Sequence, residues 1–271
     1  TLLNQIKENQ KKIKLNHADE FITFKISDAF FDRKKYEKST SYLMSFFKNV
    51  KIPEYTDKFY RRIGRGISFQ IRKQIEEDRP FIALQTYEKY DSLWFRKSER
   101  IDFDLYKAIS SEKAKMYKDA ISEYKIFLNK YEKIDSKETV VKFEQLPSIS
   151  YIHLRMANSY LKMGRIGDAK KSLSRIETKD EKVRSMDEVD LIGAEIFYKE
   201  NKYKLALSSL EKLKINSLNS LDLKVKILKD MGRAQAAVSE IDNFLKNKKI
   251  KNETKFSLLK KKAQILNSAS D

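Results

Sequence analysis

The feature that most constrains this chain is a pattern of small, aromatic and turn residues that returns along its length. The clearest copy is residues 151–177, YIHLRMANSYLKMGRIGDAKKSLSRIE. Its residues Ala157, Tyr160, Gly164, Ala169, Leu173 and Ile176 stand where two antiparallel helices need them. The alanines allow close approach, Tyr160 packs over the seam and Gly164 ends the first helix; Leu173 and Ile176 face the next hairpin. The frame recurs at 190–213 (Ala194, Phe197, Asn201, Ala206, Leu210) and at 221–244 (Val225, Leu228, Gly232, Ala237, Ile241). Upstream copies fall at 104–128 (Ala108, Tyr117, Ala120, Tyr124), at 23–46 (Phe30, Tyr36, Ser39, Leu43) and at 67–90 (Ile71, Phe81, Ala83, Tyr87). The turn of the last of these, EEDRP, departs from the pattern.

The second small residue of the six copies is Ser39, Ala83, Ala120, Ala169, Ala206 and Ala237, in steps of 44, 37, 49, 37 and 31 residues. Such steps scatter around the ~34-residue period of two-helix repeats. Only six Gly and three Pro occur in 271 residues, too few for a fold rich in β-turns. The predicted fold is therefore all-α: a right-handed superhelical solenoid of about six helix hairpins. Residues 1–16 read as a flanking helix or tether and 17–252 as the repeat array, with an inserted loop at 133–150. Residues 253–271 read as a capping helix and tail, with Phe256, Leu259, Ala263 and Leu266 covering the open end of the stack.

The spacing in 151–177 resembles the tetratricopeptide repeat signature. Within that superfamily, YKDAISEYKIFLNKYEKI and IHLRMANSYLKMGRIGDAKKSL are similar to bacterial envelope proteins of the outer-membrane-assembly lipoprotein and Tol-Pal-associated types. The resemblance implies a protein-binding scaffold in a bacterial complex, with the periplasm or outer-membrane periphery favoured over the cytoplasm. Glu132 stands where those families carry Pro. The first residue is Thr1 rather than Met, which reads as a processed or excised segment.

Chemistry is sparsely represented. With no Cys, thiol catalysis, disulfides and thiolate zinc sites are excluded. The two histidines, His17 and His153, are far apart in sequence, and His153 falls on a packed helical turn. Gly64-Arg65-Gly66 lacks the rest of a dinucleotide fingerprint. The reading is of a non-enzymatic chain with no catalytic or metal-binding residues, no cofactor and no small-molecule substrate.

In tetratricopeptide folds the first helix of each hairpin lines a concave groove. The resemblance puts Tyr151, Leu154, Asn158, Leu161 and Lys162 there, then Glu188, Leu191, Glu195, Tyr198 and Lys199, and in the first copy Phe21, Phe24, Asp28, Phe31 and Asp32. Leu154, where a carboxylate clamp carries Lys, speaks against a chaperone-tail receptor. The sharpest local feature is 58–75, KFYRRIGRGISFQIRKQI, with six basic residues and no acidic one. At about 100° per residue, Lys58, Arg61, Arg62, Arg65, Arg72 and Lys73 share an arc of ~120° with Phe69. Phe59, Tyr60, Ile63, Ile67 and Ile71 take the other side. A second basic run, 246–262, holds eight Lys against Glu253.

With a net charge of +18, the expected partner is a protein: an acidic peptide, helix or domain. The partner-binding candidates are Lys58, Arg61, Arg62, Arg65, Phe69, Arg72, Tyr151, Asn158, Lys162, Glu195, Tyr198 and Lys199. The alternative is a basic adaptor that contacts nucleic acid or anionic lipid through residues 58–73. Nucleic acid would call for more stacking aromatics on that face than Phe69 supplies.

Overall fold

The structure is a computed structural model that describes residues 18–48, 50, 53–90, 94, 100, 102–131, 146–177, 179–184, 186–246 and 250–268. The chain divides into two compact units, Thr1–Leu146 and Pro147–Asp271, with the boundary inside the segment read as an insertion. That segment lies outside the described residues except for its end, where Ile149 and Ser150 begin a helix; the segment read as a tether, 1–16, lies outside them too.

The first unit holds α1 (Ala18–Asp32), α2 (Tyr36–Phe47), α3 (Pro53–Glu76), α4 (Pro80–Lys89), α5 (Asp102–Lys113) and α6 (Tyr117–Tyr131). The second holds α7 (Ile149–Lys162), α8 (Ile166–Leu173), the single turn α9 (Glu181–Arg184), α10 (Asp187–Lys199), α11 (Tyr203–Glu211), α12 (Leu218–Asp230), α13 (Ala234–Leu245) and α14 (Asn252–Asn267). The hairpins are α1–α2, α3–α4 and α5–α6 in the first unit, and α7–α8, α10–α11 and α12–α13 in the second. The second helix of a hairpin touches the first helix of the next: α2 on α3, α4 on α5, α8 on α10, α11 on α12 and α13 on α14. First helices also touch each other directly, α3 on α5, α7 on α10 and α10 on α12. The described chain is an all-α helical repeat.

All six described hairpins turn in the same way. Lys34, Asp78, Lys115, Gly164, Asn201 and Gly232 are left-handed, with φ between 55° and 74°. The N–H of the next residue donates to the carbonyl five positions back in every case, as in Lys35 to Phe30, Arg79 to Gln74 and Arg233 to Leu228. This is the long bond of a Schellman turn; it satisfies a carbonyl that the helix end leaves open. EEDRP does not depart from the pattern after all: Asp78 takes the left-handed conformation, and Pro80 opens α4. Five residues after each left-handed position comes the small residue of the second helix. Ser39, Ala83, Ala120, Ala169, Ala206 and Ala237 are all buried at the crossing.

The 44-residue step has its origin in α3. It starts at Pro53, not near residue 67, and runs for 24 residues. Phe59, Ile63, Ile67 and Ile71, spaced by four, are fully buried among Phe24, Leu43, Ala83 and Phe103. Each such side chain contributes about 1.5–3 kcal/mol. Gly66 allows a close approach of α2 and α3, since a Cβ there would collide with Thr40 Oγ1 on α2.

The final helix forms, but turned from its expected face. Leu258 and Ile265 are buried against α12 and α13 with Leu221, Val225 and Ile241. Phe256, Leu259, Ala263 and Leu266 face outward instead, with Phe256 72% exposed. At about 100° per residue, Phe256 and Ala263 stand roughly 140–160° around the helix from Leu258, so the two apolar sets occupy different sides of α14.

Candidate functional site

The basic face of α3 is present, and most of its charge is engaged. Arg62 forms an ion pair with Asp28 of α1 and lies over the Phe24 ring, 4.5 Å from its centroid. The Arg72 Nε donates to Glu76 Oε1 at 2.9 Å, and that hydrogen bond, with a smaller one to Tyr106, holds the guanidinium above its ordinary pKa against the opposing pull of burial. Lys73 pairs with Glu77 at 3.7 Å, and Lys58 sits over the Tyr55 ring. Lys58 and Arg61 are exposed.

Arg65 differs from its neighbours. Its guanidinium carbon stands 4.3 Å from the Phe31 centroid and 5.6 Å from that of Phe69. Those two rings and Tyr36 form a mutual cluster, with centroids 4.9–5.4 Å apart. The residue is exposed, and no ion pair to it is found among the described residues. Stacking fixes the plane of a guanidinium while leaving its N–H edge available to a carboxylate.

Beside this cluster opens a cavity of about 400 Å³, lined by Lys34, Tyr36, Phe69, Arg72, Lys73, Glu76 and Glu77. Lys34 comes from the first hairpin turn, and the left-handed conformation of that residue places the start of α2 against α3. The cavity thus combines an aromatic wall with a mixed but cation-rich rim. Its size suits one or two side chains of a ligand, not a whole domain.

Polar cross-links join successive first helices at a repeat's spacing. Arg62 meets Asp28, and Ser68 meets Asp102, each across 34 residues. Arg155 donates to Glu188 at 2.8 Å and Lys162 to Glu195 at 3.2 Å, each across 33. The Tyr198 hydroxyl donates to Asp230 at 2.7 Å across 32. The six like turns and these recurring links define the repeat.

The fold is an all-α repeat of helix hairpins, the architecture that the sequence's resemblance to tetratricopeptide repeats implies. No protein-family model and no curated protein matches the chain. Among solved structures it is similar to pilF of Pseudomonas aeruginosa, with a TM-score of 0.46 and 17% identity over 84% of this chain and 90% of that one. It is also similar to a tetratricopeptide repeat protein from Parabacteroides merdae (0.44, 14%, 89% and 97%) and to Naa15/Naa10 bound to HypK-THB (0.35, 14%, 92% and 39%). The repeat itself rests on the turns and cross-links, not on these likenesses.

In the second unit the expected groove residues divide into two sets. Tyr151 and Asn158 are half-buried and Lys199 is exposed. Lys162 and Glu195 neutralise each other, and Tyr198 is tied to Asp230, a hydrogen bond that with burial pushes its hydroxyl up to about 12. Leu154 and Leu161, assigned to the surface, are buried, as is Phe24 in the first unit. A first helix packs against its own hairpin partner and against neighbours on both flanks, which leaves a narrower open face than the repeat frame alone suggests. Sequence reasoning missed Lys34 and Tyr36 as site residues; the signal was their position at the turn, five and three residues before Ser39.

His153 is buried on α7. Among the described residues no group of three or more His, Asp or Glu side chains is placed to hold a metal ion, and no described helix is long and apolar enough to cross a membrane.

Proposed function

We propose that this chain is a non-enzymatic scaffold that holds an acidic peptide or helix of a protein partner on the α1–α3 face of its first unit. The observation that carries the reading is Arg65, whose guanidinium carbon lies 4.3 Å from the Phe31 centroid and 5.6 Å from that of Phe69, a ring that itself lines a cavity of about 400 Å³. A partner carboxylate meets the guanidinium edge and an adjacent apolar side chain enters against Tyr36 and Phe69. Arg72, Lys73 and Lys34 set the sign of the rim, while Lys58, Arg61 and Arg62 extend it along α3. In the second unit, Tyr151, Asn158, Lys162, Glu195, Tyr198 and Lys199 supply a separate, more neutral first-helix surface. The sequence resemblance to envelope tetratricopeptide proteins supports a bacterial envelope complex as the setting.

The nucleic-acid or lipid reading is the weaker one. Arg62, Arg72 and Lys73 are already paired with carboxylates, and Phe69 packs against two rings under Arg65, so it offers little free face for a base.

The test is selection from a random peptide library on the full chain. Enrichment of sequences that pair Asp or Glu with an aromatic or large aliphatic residue supports the scaffold, provided Arg65→Glu abolishes it. Recovery of no acidic motif, or equal recovery by Arg65→Glu, sinks it. Tight, steeply salt-dependent binding of duplex DNA or anionic vesicles would favour the alternative.

A further inference from the structure

Helix α12 has two apolar faces, and each has a use. Leu223 and Ile227 pack on Ala206 and Leu210 of the preceding hairpin, while Leu221, Val225 and Leu228 pack with Ala237 and Ile241 of its own second helix, α13. Helix α14 repeats the first of these contacts through Leu258 and Ile265. Phe256 precedes Leu258 by two residues, as Leu221 precedes Leu223. The outward face of α14, with Phe256 72% and Leu259 46% exposed and Ala263 one turn on, corresponds to the face that on α12 receives a second helix.

Charge selects the occupant. Lys255 and Lys260 flank this stripe, are exposed, and have no acidic partner among the described residues. Lys261 and Lys262 are engaged by Asp222 and Asp242 at 2.6 Å. Glu253 is the one acidic residue of α14. A second copy using the same face would set Lys against Lys, which disfavours self-pairing. We propose that the outward face of α14 docks an acidic amphipathic helix of a partner chain, which completes a seventh hairpin. This site belongs to the second unit and stands independently of Arg65.

The test uses the full chain and two fluorescent three-heptad peptides with Leu at their a and d positions, one with Glu and the other with Lys at e and g. The Glu peptide binds and the Lys peptide does not. Phe256→Ser with Leu259→Ser weakens the Glu peptide at least about tenfold. Lys255→Glu with Lys260→Glu, which breaks no ion pair among the described residues, reverses the preference and keeps the proposal falsifiable if the apolar variant fails to fold. Equal binding of both peptides, binding of neither, or a dimer in sedimentation that Phe256→Ser with Leu259→Ser dissociates would overturn the proposal.

Discussion

The Arg65 guanidinium lies 4.3 Å from the centre of the Phe31 ring on the neighbouring first helix, so an arginine in the middle of a basic run is also the lid of an aromatic cluster. Its orientation is therefore set by a residue that carries no charge. Phe31→Leu leaves every charge in place and should still weaken an acidic peptide about three- to tenfold, through loss of a cation–π contact of about 0.5–1 kcal/mol and of the fixed guanidinium plane. Isothermal titration of the variant against a selected peptide checks this. Unchanged affinity would mean that Arg65 acts only as a point charge.

Gly66 and Thr40 form a tight junction between the first two hairpins. Gly66→Ala should cost about 1–3 kcal/mol in urea unfolding, because its new methyl group meets a fully buried Thr40 hydroxyl. That hydroxyl has no hydrogen-bond partner, and without it the nearest atoms are Thr40 Cβ at 3.5 Å and Tyr36 O at 3.7 Å, ordinary contact distances. Thr40→Ala should consequently recover much of the loss in the double variant. Additive losses would contradict this account of the junction.

The turns offer a paired test of backbone strain. Lys115 and Gly164 hold equivalent left-handed positions at φ 63° and 74°, and nothing within 4 Å of Gly164 would meet an added Cβ. Gly164→Ala should destabilise the chain by about 1 kcal/mol, and Lys115→Gly should be neutral or stabilising by a few tenths to about 1 kcal/mol. Equal effects of the same sign would show that the turns are not equivalent.

This six-fold turn also marks what the sequence could and could not reveal. Gly164, Asn201 and Gly232 announce a left-handed residue; Lys34, Asp78 and Lys115 do not, and EEDRP looks irregular for that reason. The small residues at the crossings are readable because close helix approach tolerates little else. The side of α14 is not, since Leu258 with Ile265 and Phe256 with Leu259 are both helical spacings, and periodicity alone does not choose between two apolar faces. The basic face of α3 can be read as a face, but the acids that occupy it come partly from elsewhere: Asp28 lies 34 residues away. Pairing across repeats is a tertiary fact, invisible to a local charge count.

High pH should loosen the fold. Burial, then nearby carboxylates, raises Tyr87 and Tyr90 to about 12, and the hydrogen bond to Asp230 does the same for Tyr198. An unfolded tyrosine ionises near its ordinary value of 10.0 while the folded one keeps its proton. The contribution is thus full below about pH 10 and is lost as pH rises from there toward about 12. Urea midpoints measured from about pH 8.5 upward should fall over that interval, and less steeply in Tyr198→Phe. A flat profile to about pH 11 would contradict the assigned environments.

The proposed site requires that Arg65 read a carboxylate of the partner. A double-mutant cycle between Arg65→Gln in the full chain and Asp→Asn or Glu→Gln at the acidic position of a selected peptide tests it most directly. The account predicts that each change alone weakens binding about tenfold and that the two together cost little more than either, a coupling of about 1 kcal/mol or greater. Fully additive losses would place the carboxylate elsewhere and contradict the account.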